Sequence, residues 1–118
     1  KIVKAEKIPT DAMALDIGPD SIEAFSEVIR GAKTVFWNGP MGLFEKTPFA
    51  EGTQKIGSVI STSGAVSVVG GGDTVRAVSE FMQSPFFTHM STGGGAALEL
   101  LEGRELPGLE ALRERRPR

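Results

Sequence analysis

Three consecutive glycines, Gly70, Gly71 and Gly72, are followed directly by Asp73 and Thr74. Because glycine has no Cβ, backbone N–H groups in such a run can approach a ligand closely, and a helix that starts there adds partial positive charge. Both features suit a phosphate group. A carboxylate beside a phosphate is repelled unless a cation lies between them, so Asp73 indicates bound Mg²⁺, and the Thr74 hydroxyl is a candidate ligand of a phosphate oxygen or of the metal. Taken alone, the run also fits a turn that packs tightly on its strand, with Asp73 capping the next helix.

A second glycine run, Gly93, Gly94 and Gly95, follows Ser91 and Thr92 and contains no acid. Ser91 or Thr92 can cap a helix, and the free N–H groups of the glycines can bind an anion. Two such loops on neighbouring strands would point at one place, and a phosphate chain or a phosphoryl group in transfer needs several such donors. Neither run is followed by the lysine of a Walker A motif, which excludes a P-loop protein.

A third loop begins with Asn38, Gly39 and the rigid Pro40, and Glu45 lies a few residues beyond. The Asn38 amide can hydrogen-bond a phosphate or a sugar, and the Glu45 carboxylate can accept hydrogen bonds from ribose hydroxyls. Trp37, which precedes this loop, is expected to pack in the core.

Each loop follows a short apolar segment that predicts a strand, and a striped amphipathic segment follows each loop. The predicted strands are Thr34–Trp37, Ala65–Val69 and Phe86–Met90. The alternation indicates an α/β fold with a parallel sheet and helices on both faces, Rossmann-like and doubly wound, here as part of one domain. Loops at the carboxyl ends of such strands line one crevice, so we expect the three loops at one edge.

The remaining elements are predicted from local signals. Leu15–Ile17 is a candidate for a brief strand, and Asp20 or Ser21 is expected to cap the helix that follows and ends at Gly31. A second helix is expected after Pro48, and Ser84-Pro85 should end the third. A last short amphipathic segment is indicated by the spacing of Leu106, Leu109 and Leu112.

Composition narrows the class of protein. The chain has 118 residues, enough for one ordinary domain, and its net charge of −2 argues against general nucleic-acid binding. It has no cysteine, which excludes thiolate metal sites and fits a cytoplasmic protein. Its single histidine, His89, lies in an apolar strand and is expected to be structural. No apolar run suits a membrane span or a signal peptide, and a start without methionine suggests a fragment or a processed product.

Four segments together and in order resemble the phosphoglycerate kinase family: Leu15–Pro19, Trp37–Glu45, Gly70–Thr74 and Ser91–Ala96, followed by Leu98–Gly103. No single glycine run is specific, whereas the combination is. The resemblance implies two doubly wound domains that face a cleft, and phosphoryl transfer between ATP and 3-phosphoglycerate in glycolysis. The C-terminal domain binds the Mg-nucleotide in that family.

Roles for individual residues follow from the resemblance. It implies that Asn38 and Pro40 lie along ATP or ADP, with Glu45 at the ribose. It implies that Asp73 holds Mg²⁺ and that Thr74 contacts phosphate oxygens.

The resemblance also gives Gly93–Gly95 a catalytic role, because their helix start faces the transferred phosphoryl group. A methyl group at Gly94 is therefore expected to obstruct that group. The basic pocket for 3-phosphoglycerate belongs to an N-terminal domain that this chain lacks, as it lacks the first half of the C-terminal domain. Residues 1–112 thus correspond to the C-terminal portion of the nucleotide-binding domain, and Arg113–Arg118 are expected to form a disordered basic tail. The whole enzyme is expected to be a cytoplasmic monomer, and the fragment to be inactive alone.

Two other interpretations remain open at this point. Val66–Ala77 also resembles the NADPH-binding turn of flavin disulfide reductases, although the chain has no redox cysteines. Ser91 and Thr92 also stand where a ribose-binding acid would be expected about 20 residues beyond Gly72. The other possibility is an α/β fragment that binds nothing by itself.

Overall fold

A computed structural model describes residues 1–83 and 85–114. Within these ranges the chain forms three β-strands, five α-helices and two short 3-10 turns at Ala5–Lys7 and Thr47–Phe49. The α-helices and strands are, in chain order, α1 Pro19–Gly31, β1 Thr34–Asn38, α2 Glu51–Thr62, β2 Val66–Gly70, α3 Gly72–Phe81, β3 His89–Ser91, α4 Gly94–Leu101 and α5 Pro107–Glu114.

The three strands form one parallel sheet in the order β1-β2-β3. The register pairs Asn38 with Gly70 and Gly70 with Ser91, so the last residues of all three strands lie in one row. The glycine runs therefore leave the sheet at the same edge. This confirms the predicted α/β class, the three parallel strands and the common edge of the loops.

The main core lies where α2 and α3 cover the sheet. Its buried members are Trp37, Ile56, Ile60, Val69 and Val78. The prediction that Trp37 packs in the core is confirmed, and a reason emerges for a glycine inside α2. A Cβ on Gly57 would lie only 3.0 Å from the Met82 sulfur and 3.1 Å from the Trp37 ring. The helix tolerates the glycine because the indole ring needs that space.

The third strand is shorter than predicted. The predicted strand Phe86–Met90 is wrong at its start, because β3 begins only at His89. The segment before β3 is held by hydrogen bonds to side-chain hydroxyls, and not by a backbone ladder. The Ser67 and Thr88 residues exchange hydrogen bonds, from Ser67 N–H to Thr88 Oγ1 at 2.9 Å and from Thr88 N–H to Ser67 Oγ at 3.2 Å. The Phe86 N–H donates to Ser61 Oγ at 2.8 Å.

The start of the chain also differs from expectation. Leu15–Ile17 is not a strand. The N-cap of α1 is Gly18 and not Asp20 or Ser21, because Pro19 with its fixed φ occupies the first helical position. Helix α2 does follow Pro48 as predicted, starting at Glu51 after a 3-10 turn at Thr47–Phe49.

The last elements agree with the predicted order. Helix α4 ends shortly before Gly103, and α5 carries Leu109 and Leu112. The predicted stop at Ser84 lies outside the described residues, and α3 already ends at Phe81. Helix α5 runs through Glu114, two residues into the segment predicted as a tail, and the rest of that segment lies outside the described residues.

Several apolar side chains remain at the surface. Phe25 and Val28 on α1 are 47% and 73% exposed, and Leu112 on α5 is 67% exposed. The radius of gyration is 17.0 Å, whereas about 13–14 Å is typical of a compact domain of this length. The described helices therefore leave part of the apolar surface uncovered. None of the helices resolved in residues 1–83 and 85–114 combines the length and apolarity that crossing a bilayer requires.

We predict that Gly57→Ala lowers the free energy of unfolding by about 1–3 kcal/mol, although alanine is the better helix former. The reason is the clash of the new methyl group with Trp37 and Met82. Urea unfolding of the chain measures the effect. The matched control is Ser58→Ala, at the next and exposed position of α2, which should change stability by less than about 0.5 kcal/mol. Equal stability of the two variants would contradict the packing assigned to Gly57.

Candidate functional site

The three loops meet around the side-chain amide of Asn38. Its Oδ1 lies against the backbones of Gly70, Gly71 and Gly94: a Cβ on Gly70 would be 3.2 Å from this oxygen, and a Cβ on Gly71 would be 2.9 Å from it. A Cβ on Gly94 would overlap with Asn38 Oδ1 and approach Gly71 Cα to 2.8 Å. A side chain at Gly94 would therefore displace the neighbouring loop, and a Cβ on Gly71 or Gly70 would crowd the Asn38 amide.

The other glycines of the two runs face open space. A Cβ on Gly72 or on Gly95 would meet no atom within 4 Å, and one on Gly93 would only touch Ser91 Oγ at 3.6 Å. The expectation that a methyl group at Gly94 would obstruct a ligand is wrong in direction, because that position points into the protein and is buried. Gly72 and Gly95 are the positions that face outward.

Two helix starts supply free backbone donors at this edge. The first three N–H groups of a helix have no partner within it, which leaves those of Gly72, Asp73 and Thr74 in α3 free of intrahelical bonds. In α4 the same applies to the N–H groups of Gly94, Gly95 and Ala96. Ala96 was not predicted from the sequence as a site residue, although its place in the first turn of a helix was the available signal.

Two glycine N–H groups of the runs are already engaged. The Gly71 N–H donates to Ser91 O at 2.8 Å, and the Gly93 N–H donates to Ser91 Oγ at 3.2 Å. Gly71 also has a φ of +92°, a backbone conformation that residues with a side chain rarely adopt. Gly71 and Gly93 therefore shape the loops, and their neighbours present the donors.

Three hydrogen bonds fix the position of the loop after β1. The Gly39 N–H donates to Thr74 Oγ1 at 2.7 Å, and the Met41 N–H donates to Thr53 Oγ1 at 3.0 Å. Thr74 is completely buried, so its hydroxyl oxygen joins two loops and does not face the open edge. The Leu43 N–H donates to a carbonyl of the segment before α1.

That segment positions α2 through Asp16. The Asp16 Oδ2 accepts the Gly52 N–H at 3.0 Å, and its Oδ1 accepts the Ile17 N–H at 2.8 Å. Helix α2 has no capping side chain of its own at Ala50, so Asp16 satisfies one of its first free donors from a distant part of the chain. The segment around Asp16 thus supports α2 through a side chain and not through strand pairing.

A short chain of charges lies beside the start of α3. Arg76 Nη2 donates to Glu45 Oε1 at 2.9 Å and lies 3.5 Å from Asp73 Oδ1. The guanidinium carbon is 5.0 Å from the centroid of the buried Phe44 ring. Arg76 was not predicted from the sequence. Its spacing of three residues from Asp73 was a signal for the second contact, but nothing in the sequence links it to Glu45.

The donor set limits the kind of metal that fits. No cluster of three or more metal-ligating side chains occurs in the described part of the chain. Asp73 is a single carboxylate with a 74% exposed side chain at a helix start rich in N–H donors. Mg²⁺ commonly takes one or two protein carboxylates and completes its shell with phosphate oxygens and water. The residues therefore fit a metal that arrives with a phosphate ligand and do not form a closed metal cage.

Most of the predicted site residues lie at one edge of the sheet. Asn38, Gly39 and the two glycine runs lie together at the carboxyl edge, and Glu45 joins them through Arg76. Pro40 lies half-buried in the same loop. His89 lies in β3, as expected, and its side chain is exposed. A cavity of about 420 Å³ opens at the N-terminal segment, and its lining includes none of the glycine-run residues.

Comparison with known proteins gives one family. The phosphoglycerate kinase family model matches residues 1–104. A phosphoglycerate kinase of Pelotomaculum thermopropionicum is 53% identical over 112 residues, which cover 95% of this chain and 28% of the relative. One of Lactiplantibacillus plantarum is 54% identical over 116 residues, with 98% and 29% covered.

Solved structures agree with the sequence relatives. The phosphoglycerate kinase of Coxiella burnetii has a TM-score of 0.79 and 36% identity, covering 89% of this chain and 27% of that protein. The enzyme of Pyrococcus horikoshii has a TM-score of 0.80 and 40% identity, covering 87% and 25%. This chain therefore spans less than a third of the length of these proteins.

We predict that alanine at two adjacent glycines affects two different properties, ligand binding at Gly95 and stability at Gly94. Gly95→Ala should leave the free energy of unfolding within about 1 kcal/mol and weaken the binding of inorganic tripolyphosphate, because its methyl group enters the open side of the helix start. Gly94→Ala should lower the unfolding free energy by about 1–3 kcal/mol, because its methyl group would overlap with Asn38 and Gly71. Urea unfolding and calorimetric titration measure the two properties. A destabilised Gly95→Ala with an unaffected Gly94→Ala would reverse the assigned directions.

Proposed function

Because the chain belongs to the phosphoglycerate kinase family, we propose that it forms part of the Mg-nucleotide site of an enzyme that transfers a phosphoryl group between ATP and 3-phosphoglycerate. The observation that carries this proposal is the convergence of two helix starts and the Asn38 amide at one sheet edge. Such an arrangement provides several fixed N–H donors for a chain of phosphates.

In this proposal the two helix starts have different tasks. The N–H groups of Gly72 and Asp73 hold the phosphates of the bound nucleotide, whereas Thr74 is completely buried behind them. Those of Gly94, Gly95 and Ala96 face the transferred group, where charge develops in the transition state. Donors of this type cost no reorganisation during the reaction, because the fold has already fixed them.

The side chains act between and around these donors. The Thr74 hydroxyl, expected at a phosphate oxygen, supports the site indirectly because it fixes Gly39. The oxygen of the Asn38 amide faces the glycine backbones. Its nitrogen is therefore left to donate a hydrogen bond to the nucleotide. Pro40 keeps the loop after β1 rigid along the nucleotide, and Glu45 accepts hydrogen bonds from the ribose.

Asp73 is the proposed ligand of the metal. A nucleotide-bound Mg²⁺ supplies charge neutralisation for the phosphates. The contribution of the chain is a carboxylate at the first turn of α3, next to the N–H groups that bind the same phosphates. Its exposure leaves the carboxylate accessible to a ligand from the open edge.

The second substrate requires residues beyond this chain. Phosphoryl transfer depends on the positioning of two substrates and on neutralising the charge between them. The described glycine edge carries donors for one of them, so 3-phosphoglycerate is assigned to the remainder of the enzyme. A cytoplasmic location and a monomeric enzyme stay predictions. The family match and the presence of a second helix start favour the kinase over the NADPH-binding alternative.

We predict that Asp73→Asn lowers turnover about a hundredfold at limiting Mg²⁺, since a lost metal ligand removes on the order of 2–3 kcal/mol of transition-state stabilisation. The assay uses a chimera in which this chain replaces the matching segment of the Pelotomaculum thermopropionicum relative. Stability should change by less than about 1 kcal/mol, because the side chain is exposed and its contact with Arg76 is long. The matched control is Glu80→Gln, an exposed acid at the other end of α3, which should retain full turnover. An unchanged rate in Asp73→Asn would refute the metal assignment.

We also predict that the 118-residue chain alone binds nucleotide weakly and does not turn over. It carries donors for one substrate, and exposed leucines such as Leu112 should promote self-association. The measurement is an assay of the purified chain with ATP, Mg²⁺ and 3-phosphoglycerate, together with its native mass. Turnover that persists after removal of contaminating kinase, and that disappears in Asp73→Ala, would overturn this view.

A further inference from the structure

Arg76 lies between two residues of the proposed nucleotide site without belonging to the phosphate donors. Its Nη2 donates to Glu45 Oε1 at 2.9 Å, and the same nitrogen lies 3.5 Å from Asp73 Oδ1. Glu45 stands 31 residues earlier in the sequence, in the loop after β1. One arginine of α3 therefore connects the proposed ribose ligand to the proposed metal ligand.

Ordinary surface ion pairs contribute little, because two long side chains must be ordered in a high dielectric. This arginine differs because a buried ring limits its freedom. The guanidinium carbon lies 5.0 Å from the centroid of Phe44, a residue that is 2% exposed. Phe44 is itself held edge-to-face against Phe81, with 6.2 Å between the ring centroids. A planar guanidinium that lies over a buried ring loses less freedom when it pairs with a carboxylate.

The hydrogen bond to Arg76 leaves half of the Glu45 carboxylate available. Oε1 accepts the guanidinium donor, and within the described residues Oε2 accepts no hydrogen bond. An ionised carboxylate can accept at both oxygens. Glu45 therefore has one oxygen that fixes its direction and one that is free for a hydroxyl donor.

The two contacts of Arg76 are unequal. The distance to Asp73 is longer by 0.6 Å, the difference between 3.5 Å and 2.9 Å, and the Asp73 side chain is also the more exposed of the two carboxylates, at 74% against 48%. A cation that binds Asp73 would replace the weaker contact first. Arg76 would then remain with Glu45.

We propose that Arg76 is a positioning residue that holds Glu45 in the direction required to recognise the ribose hydroxyls of the nucleotide. The proposal rests on the proposed nucleotide site. In the absence of a metal, the same guanidinium also neutralises Asp73, so the two carboxylates can lie near each other at one edge. Ribose selectivity then depends on a residue that does not touch the sugar.

The test compares ADP with 2′,3′-dideoxy-ADP on the chimera in which this chain replaces the matching segment of the Pelotomaculum thermopropionicum relative, in the presence of MgCl₂. Ligand-observed NMR titration gives both dissociation constants even when binding is weak. The chimera without further substitution should prefer ADP about tenfold, the range that one charge-assisted hydrogen bond provides. Arg76→Ala should reduce the preference to about twofold, and Arg76→Lys should give an intermediate value because lysine keeps a donor but not the planar group.

Two controls isolate the route of the effect. Arg30→Ala removes an arginine of equal exposure, 55%, whose partner Glu23 lies on α1, and should leave the preference unchanged. Glu45→Gln should lower the preference by itself, and adding Arg76→Ala to it should change nothing further if Arg76 acts through Glu45.

The possible failures are distinguishable. An unchanged preference in Arg76→Ala overturns the role of Arg76 and leaves the nucleotide site intact. Equal binding of the two ligands by the chimera without further substitution overturns both the ribose role of Glu45 and this inference. Binding of neither ligand by that chimera overturns the proposed function and this inference with it. Amide spectra of each variant establish that a loss is not due to unfolding.

Discussion

The contact of the Asn38 side chain with the backbones of three glycines fixes the geometry of the whole carboxyl edge. Asn38, Gly70 and Ser91 end three adjacent strands in one row, so the loops that follow start side by side. They can approach each other only because Gly71 and Gly94 carry no Cβ toward the amide. A larger residue at either position would separate α3 from α4, and the free N–H groups of the two helices would no longer face one place.

This packing has an electrostatic consequence. The starts of α3 and α4 each carry a partial positive charge, and their proximity raises the local potential at the edge. An anion relieves that potential, which is the physical reason for assigning phosphate to the site. The acidic residues lie close to this positive region. Asp73 is in the first turn of α3, and Arg76 pairs with both Asp73 and Glu45. This distribution of charge is consistent with the proposed ligand, which combines phosphates with a cation.

The sequence predicts the position of the loops well and their internal contacts poorly. Parallel strands bring all following loops to one edge, so Gly70–Gly72 and Gly93–Gly95 could be placed together from their order alone. The outward direction of Gly95 and the inward direction of Gly94 depend on the neighbouring loop, which local patterns do not contain. The late start of β3 depends on Ser67 and Thr88, whose exchanged hydrogen bonds span 21 residues. The contact of Arg76 with Glu45 is hidden for the same reason.

The most direct test of the convergent edge is an amide NMR titration of the chain with MgADP. The account predicts that the largest shifts occur together in the first turns of both helices, at Gly72, Asp73 and Thr74 and at Gly94, Gly95 and Ala96. The side-chain amide of Asn38 should move with them, because it lies between the two groups. Shifts confined to one helix start, or located only at the N-terminal cavity, would contradict the claim that the two glycine runs form a single phosphate site.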